Sequence, residues 1–334
     1  MRRFVLLAAL AASTALAQSA PSASDARNSG YQNSARATVV HPANVYVSPD
    51  DSSDRTDVIQ PGREIVVLEI SGPWVRVYAN TDVEPSAEDT PVLQQDQPVP
   101  VHPGWIHNHG IVDAHSPDGD LILFGAAATL EQQASAPHPP VTAANSAHLL
   151  YRRVFDYFPA STLAPESLWR SADIRWQLEK SDVATLPSAH ERQSYLRPRL
   201  YEGDLKLILK KWPGSKWAAL AAFDLIDENL CGDWQGLPSC PEKESTLYAK
   251  YAAQYPNGPK TAEALYNTAV RLAALVDMYT DNRSRYHADD AVKGLHAIAR
   301  QLQHDFPGSD FAARAAALAF RCDQGIPNYG NDRD

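Results

Sequence analysis

The residues best suited to chemistry cluster in the run His102-Pro103-Gly104-Trp105-Ile106-His107-Asn108-His109-Gly110-Ile111-Val112-Asp113-Ala114-His115. Alternate residues of a strand share a face. His107 and His109 would therefore project together, with Asp113 or His115 as a third donor for zinc or copper. A fourth ligand is missing, and no partner that would orient the imidazoles can be identified. We therefore assign no metal and no other cofactor, and read His107, His109 and His115 as solvated side chains at one end of a small β domain, with ligation as the alternative. Asp50-Asp51-Ser52-Ser53-Asp54 lacks the turn glycine and late glutamate of a calcium loop and reads as a solvated loop. There is no Gly-x-Ser-x-Gly, no His-Glu-x-x-His and no Gly-rich phosphate loop. No cysteine stands in a Cys/His nucleophile setting. No catalytic residue is assigned, and the chain is expected not to be an enzyme.

The N-terminus bears on the cysteines. Arg2 and Arg3, the apolar run Phe4 to Ala12 and the small-x-small pattern Ala15-Leu16-Ala17 predict a secretory signal over residues 1–17, cleaved after Ala17. Ser13, Thr14 and Gln18 end the run well short of the roughly 20 apolar residues of a membrane span. No cysteine lies near the cleavage point to carry a lipid, and no later stretch is apolar enough to span, so no transmembrane segment is expected after cleavage. The expected location is periplasmic or secreted. Disulfides persist in oxidising compartments. Cys231 and Cys240 bracket Gly232-Asp233-Trp234-Gln235-Gly236-Leu237-Pro238-Ser239, a loop-forming stretch, and are expected to bridge. Of the pairings that three cysteines allow, this one leaves Cys322 over. The rival, a metal site, lacks a second Cys or His pair at suitable spacing.

The formal net charge of −10 and pI near 5.5 argue against sequence-independent nucleic-acid binding and against an anionic membrane surface, both of which call for basic patches. The length suggests two domains.

Residues 18–35 are small and polar and read as a flexible leader. From 36 to 115 the pattern is β: Thr38-Val39-Val40, Asn44 to Val47, Glu64 to Glu69 and Trp74 to Tyr78 are short β-branched and aromatic runs, separated by Ser48-Pro49-Asp50-Asp51, Pro61-Gly62 and Ser71-Gly72-Pro73. The spacing predicts a small sheet closed on itself or a sandwich. Val45 to Pro49, Val58-Ile59, Pro61-Gly62, Ile65 to Leu68, Gly72-Pro73-Trp74-Val75-Arg76-Val77 and Gly104-Trp105-Ile106 follow the order of the bacterial SH3-like domain of exported proteins, which this segment resembles. The resemblance implies an SH3-like β-barrel. It is interrupted by an insertion rich in Pro, Asp, Glu and Gln, Val83 to Pro103, where the family has a short turn.

Residues 116–146 read as a connecting segment: an extended run at Leu121-Ile122-Leu123-Phe124, one helix, and a break at Pro137-His138-Pro139-Pro140. Beyond Val141 the pattern is helical and repeats. Four times an aromatic-Pro pair is followed by two small residues: Phe158-Pro159-Ala160-Ser161, Trp212-Pro213-Gly214-Ser215, Tyr255-Pro256-Asn257-Gly258 and Phe306-Pro307-Gly308-Ser309. Eight positions after each proline stands a small residue, Ser167, Ala221, Ala264 or Ala315. Proline ends one helix, Gly or Asn turns the chain, Ser caps the next helix, and the small residue lets the two helices approach.

The repeat over 147–322 resembles the tetratricopeptide type, in the Tyr/Phe-Pro-x-Ser/Gly form of periplasmic proteins such as outer-membrane-assembly lipoproteins and the cell-division coordinator of the Tol–Pal system. Tyr255 to Tyr266 is the closest copy. The prolines recur at 54, 43 and 51 residues, against roughly 34 for a regular unit, which implies an irregular solenoid with inserted loops. The chain lacks the lipid-bearing cysteine of the assembly lipoproteins. Trp169, Phe223 and Tyr266 share one repeat position and read as packing residues; Trp176 and Trp234 are read as core, with a binding face as the alternative. Residues 323–334 form a tail. The expectation is an exported scaffolding or binding protein of the cell envelope, taking protein or peptide partners through the repeats and the SH3-like module. The alternative is a peptidoglycan-binding protein whose helices serve as a spacer, and a weaker third is a metal-dependent function at His107 and His109.

Overall fold

A computed structural model describes residues 35–82 and 102–329. The signal segment, all but the last residue of the leader, most of the insertion and the end of the tail lie outside the described residues. Strands β1 (Ala35–Val39), β2 (Ala43–Tyr46), β3 (Arg55–Ile59), β4 (Glu64–Ser71), β5 (Trp74–Tyr78), β6 (Pro103–His107) and β7 (Ile111–Asp113) form one antiparallel sheet in the order β3-β2-β6-β5-β4-β1-β7. Val39, Val45, Ile59, Ile65, Val77 and Ile106 fill its core. The expected closure is not made by backbone pairing: β3 and β7 stand at opposite edges. β3 turns four of its five residues to solvent, while Val112 of the short β7 is buried against Leu123 and Ala127 of the first helix. An edge covered by a helix has no need of a strand partner.

The helices among the described residues are α1 (Gly119–Ala134), α2 (Ala143–Tyr157), α3 (Ala164–Val183), α4 (Gly203–Lys211), α5 (Lys216–Asp224), α6 (Ser239–Gln254), α7 (Thr261–Asp281), α8 (Arg285–Asp305) and α9 (Asp310–Asp323). A β region thus precedes an α region. Leu121 to Phe124, read as extended from sequence, lies inside α1. There Leu123 and Ala127, four residues apart and so on one face, pack on Leu150, Tyr151 and Val154 of α2. Glu131 of α1 accepts a hydrogen bond from the Tyr151 hydroxyl at 2.6 Å and pairs with Arg170 of α3 at 2.8 Å. The segment read as a connector is therefore the first layer of the helical stack.

Each aromatic-Pro turn joins two helices that pack on each other: α2 with α3, α4 with α5, α6 with α7, and α8 with α9. Ser167, Ala221, Ala264 and Ala315 are all fully buried at 0 % exposure, as the close approach of paired helices requires.

Sheet and helices meet at one polar junction. Gly62 has φ +87°, and a Cβ there would lie 2.5 Å from Cβ of Leu149, so only glycine lets the loop seat on α2. The Gly62 carbonyl accepts from Nε of Arg153 at 3.0 Å. The same guanidinium pairs with Asp82 at 3.1 Å and Asp156 at 3.1 Å. Asp82 in turn takes Arg63 at 3.0 Å and the Glu64 amide at 3.2 Å. The Arg153 and Asp82 side chains are each 7 % exposed.

Removing one member of a buried pair strands the other, at a cost of about 3–5 kcal/mol. Arg153→Ala is expected to lower unfolding stability by about that amount in a urea titration; a loss below about 1 kcal/mol would show that the junction does not hold the two regions together.

Candidate functional site

The four turns share one backbone geometry. Proline disfavours the helical region for the residue before it, and Phe158, Trp212, Tyr255 and Phe306 sit at φ/ψ of −126°/57°, −131°/55°, −125°/64° and −135°/54°. Each amide still reaches the carbonyl four residues back, at 2.9–3.0 Å. Each carbonyl then accepts from the amide three residues on, at 2.9–3.1 Å. The next helix is capped at two of the turns by Ser215 and Ser309, whose hydroxyls accept from Ala218 and Phe311 at 3.1 and 3.2 Å, while the Ser161 hydroxyl accepts from the Leu163 amide at 3.1 Å, one residue ahead of α3. At the fourth, the Thr261 hydroxyl donates to the carbonyls of Tyr255 and Gly258.

Two of these turns border one open groove of about 820 Å³ between the second and third hairpins, within the roughly 300–1,000 Å³ range of ligand sites. One wall is α5 and the residue that follows it, through Ala218, Ala219, Ala222 and Leu225; the other is α6, through Leu247, Lys250, Tyr251 and Gln254. The ends are Pro213-Gly214-Ser215 and Tyr255 to Pro259. Alanines on α5 leave the space that larger side chains would fill. Tyr251 is buried and Tyr255 half-buried, and burial raises the titration of both, so these phenols are neutral.

The opposite side of α5 is closed by packing. Trp217 stacks on Trp169 of α3 with ring centroids 5.5 Å apart, and the Trp169 indole N–H donates to Asp224 at 3.1 Å. Trp176 is buried at 4 % exposure and Trp234 is half-buried, its N–H given to Glu244 at 3.1 Å.

The disulfide forms between Cys231 and Cys240, and Cys322 is free. Glu244, 1 % exposed, accepts from the Cys231 amide at 2.9 Å and pairs with Arg271 at 3.0 Å, fixing the disulfide loop to α6 and α7. Burial, with Asp277 and Asp323 nearby, pushes the Cys322 thiol up to about 11.

In the sheet, His107 and His109 do come together, with ring centroids 5.7 Å apart. The stack continues to Trp74 on one side, at 4.1 Å from His107, and to His41 on the other, at 4.7 Å from His109. His107 pairs with Asp51 at 2.8 Å through Nε2. His41 was not singled out from sequence; it reaches His109 because Gly110 (φ +67°) leaves room, a Cβ there falling 2.4 Å from its ring. His115 stays apart, its amide donating to Asp113 at 2.8 Å. Among the described residues no group of three His, Cys, Asp or Glu is placed to hold a metal ion. The groove residues Lys216, Ala222 and Lys250 were also missed; the only signal for them was their closeness to the turn motifs.

No family model matches this chain, and neither does any curated protein.

Burial and the neighbouring Asp173 push Asp224 from its ordinary 3.8 up to about 7, against the pull of the Trp169 hydrogen bond. A folded-state value above the unfolded one means that the charged carboxylate opposes folding at pH 8, and that the penalty fades as pH falls through 7 towards 4. Asp224→Asn is expected to raise Tm by about 2–4 °C at pH 8 and to change it little at pH 5, by scanning calorimetry. A lower Tm at pH 8 would contradict the burial account.

Proposed function

We propose that this is an exported, non-enzymatic binding protein of the cell envelope that holds apolar segments of protein partners in the groove between its second and third helical hairpins. The observation that carries the reading is the groove itself: a large, open, mostly apolar channel bordered by two copies of the same turn, which suits an extended or helical segment. The disulfide fits an oxidising compartment, and no helix among the described residues is long and apolar enough to cross a membrane. The sequence resemblances, to SH3-like modules over 36–115 and to tetratricopeptide-type repeats over 147–322, point the same way. So does the fourfold recurrence of one turn geometry.

A second reading, peptidoglycan binding through the β region, is favoured by the Trp74-His107-His109-His41 stack. The His41, His107 and His109 rings, none of them fully buried, offer stacking to a saccharide.

Selection of displayed random peptides on the full chain, followed by titration of the winners, separates these readings. The groove reading expects peptides with clustered apolar residues that lose at least about tenfold in affinity on Ala222→Phe, at unchanged Tm, the loss of a well-filled pocket. Failure to recover any peptide sensitive to Ala222→Phe, together with co-sedimentation of the chain with purified sacculi, would favour the second reading and overturn the first.

A further inference from the structure

The charge of the groove opposes that of the chain. Acidic residues outnumber basic ones, 40 to 30. Yet the groove is lined by two lysines, Lys216 and Lys250, and by no aspartate or glutamate. The lysines stand on opposite walls. Lys216 is the first residue of α5, directly after the Ser215 cap, and its ammonium rides over the Trp217 ring at 4.1 Å from the centroid. Trp217 faces away from the groove, so the Lys216 ammonium leaves this contact, a modest one at an exposed site, when it meets a charge in the groove. Lys250 is exposed on the fourth turn of α6. Elsewhere on the helices, the salt-bridged lysines are matched by carboxylates of the chain itself: Lys180 by Asp227, Lys206 by Glu202, Lys260 by Glu263, Lys293 by Asp290. The N-terminus of α5, the positive end of its dipole, lies at the same end as Lys216.

We infer that the groove selects apolar peptide segments flanked by carboxylates, with Lys216 and Lys250 as the two charge contacts on either side of an apolar floor. The inference rests on the groove reading above and adds its specificity. Each contact is solvent-exposed, so it discriminates modestly and is screened by salt. The apolar floor supplies most of the affinity, and the lysines choose among apolar segments. Peptides flanked by lysine or arginine meet like charge at both walls and are rejected, which is how an exposed ion pair contributes specificity in excess of its affinity.

The displayed-peptide selection on the full chain tests this, with Lys216→Ala/Lys250→Ala as the comparison protein. Both substitutions are at exposed positions and leave the buried packing intact. The expected result is enrichment of aspartate and glutamate beside the apolar cluster, about fivefold weaker binding of those peptides to the double variant, and loss of most of that difference at high salt. Groove-dependent peptides with neutral or basic flanks, or acidic-flanked peptides indifferent to the double variant, would overturn the charge rule and leave the groove reading standing. Recovery of no peptide sensitive to Ala222→Phe would overturn both.

Discussion

Proline disfavours the helical conformation at the residue before it, and at four turns that preference shapes the helical region. At Phe158, Trp212, Tyr255 and Phe306 the backbone takes nearly the same non-helical φ/ψ while the amide keeps its helical bond, so each hairpin folds back in the same way. Aromatic rings at these positions pack into the hairpin cores: Phe158, Trp212, Tyr255 and Phe306 all lie against buried clusters. The small residue one to two turns into the following helix then lets its partner approach. Because α5 is only nine residues long and lined with alanines on one side, the second hairpin does not fill the space beside the third. The groove is what that shortfall leaves.

The rest of the molecule fixes this arrangement from both ends. At one end, Arg153 joins Gly62, Asp82 and Asp156, tying the sheet to α2. A buried ion cluster of this kind contributes little net stability against apolar packing but has one satisfied geometry, which favours a single seating of sheet on helix. At the other end, Glu244 and Arg271 hold the disulfide loop. The C-terminal segment folds back so that Asp277 accepts from the Asn328 and Tyr329 amides at 2.6 and 2.8 Å. Tyr329 rests against Trp234 of the same loop.

Local rules made much of this legible in the sequence. The four turns follow from proline sterics, the strands from alternating β-branched runs, and the disulfide from the spacing and loop composition of Cys231 and Cys240. Non-local features were not legible. Leu121 to Phe124 looks extended because four large apolar residues in a row suit a buried strand as well as a helix; its packing on α2 decides the matter. Arg153 is one of two adjacent arginines on α2, and nothing local says that it is buried while its neighbour stays partly exposed. His41 joins the ring stack across 68 residues of sequence. The open edges of the sheet depend on α1 covering β7, and the groove depends on how two hairpins fail to fill space.

The central claim is that partners bind between the second and third hairpins. Hydrogen exchange of the full chain, with and without a selected apolar peptide at saturation, reads this directly. The account predicts slowed exchange over residues 213–226 and 247–259, with residues 35–82 unchanged. Protection confined to the sheet around Trp74 and His107, with the hairpins unaffected, would contradict it.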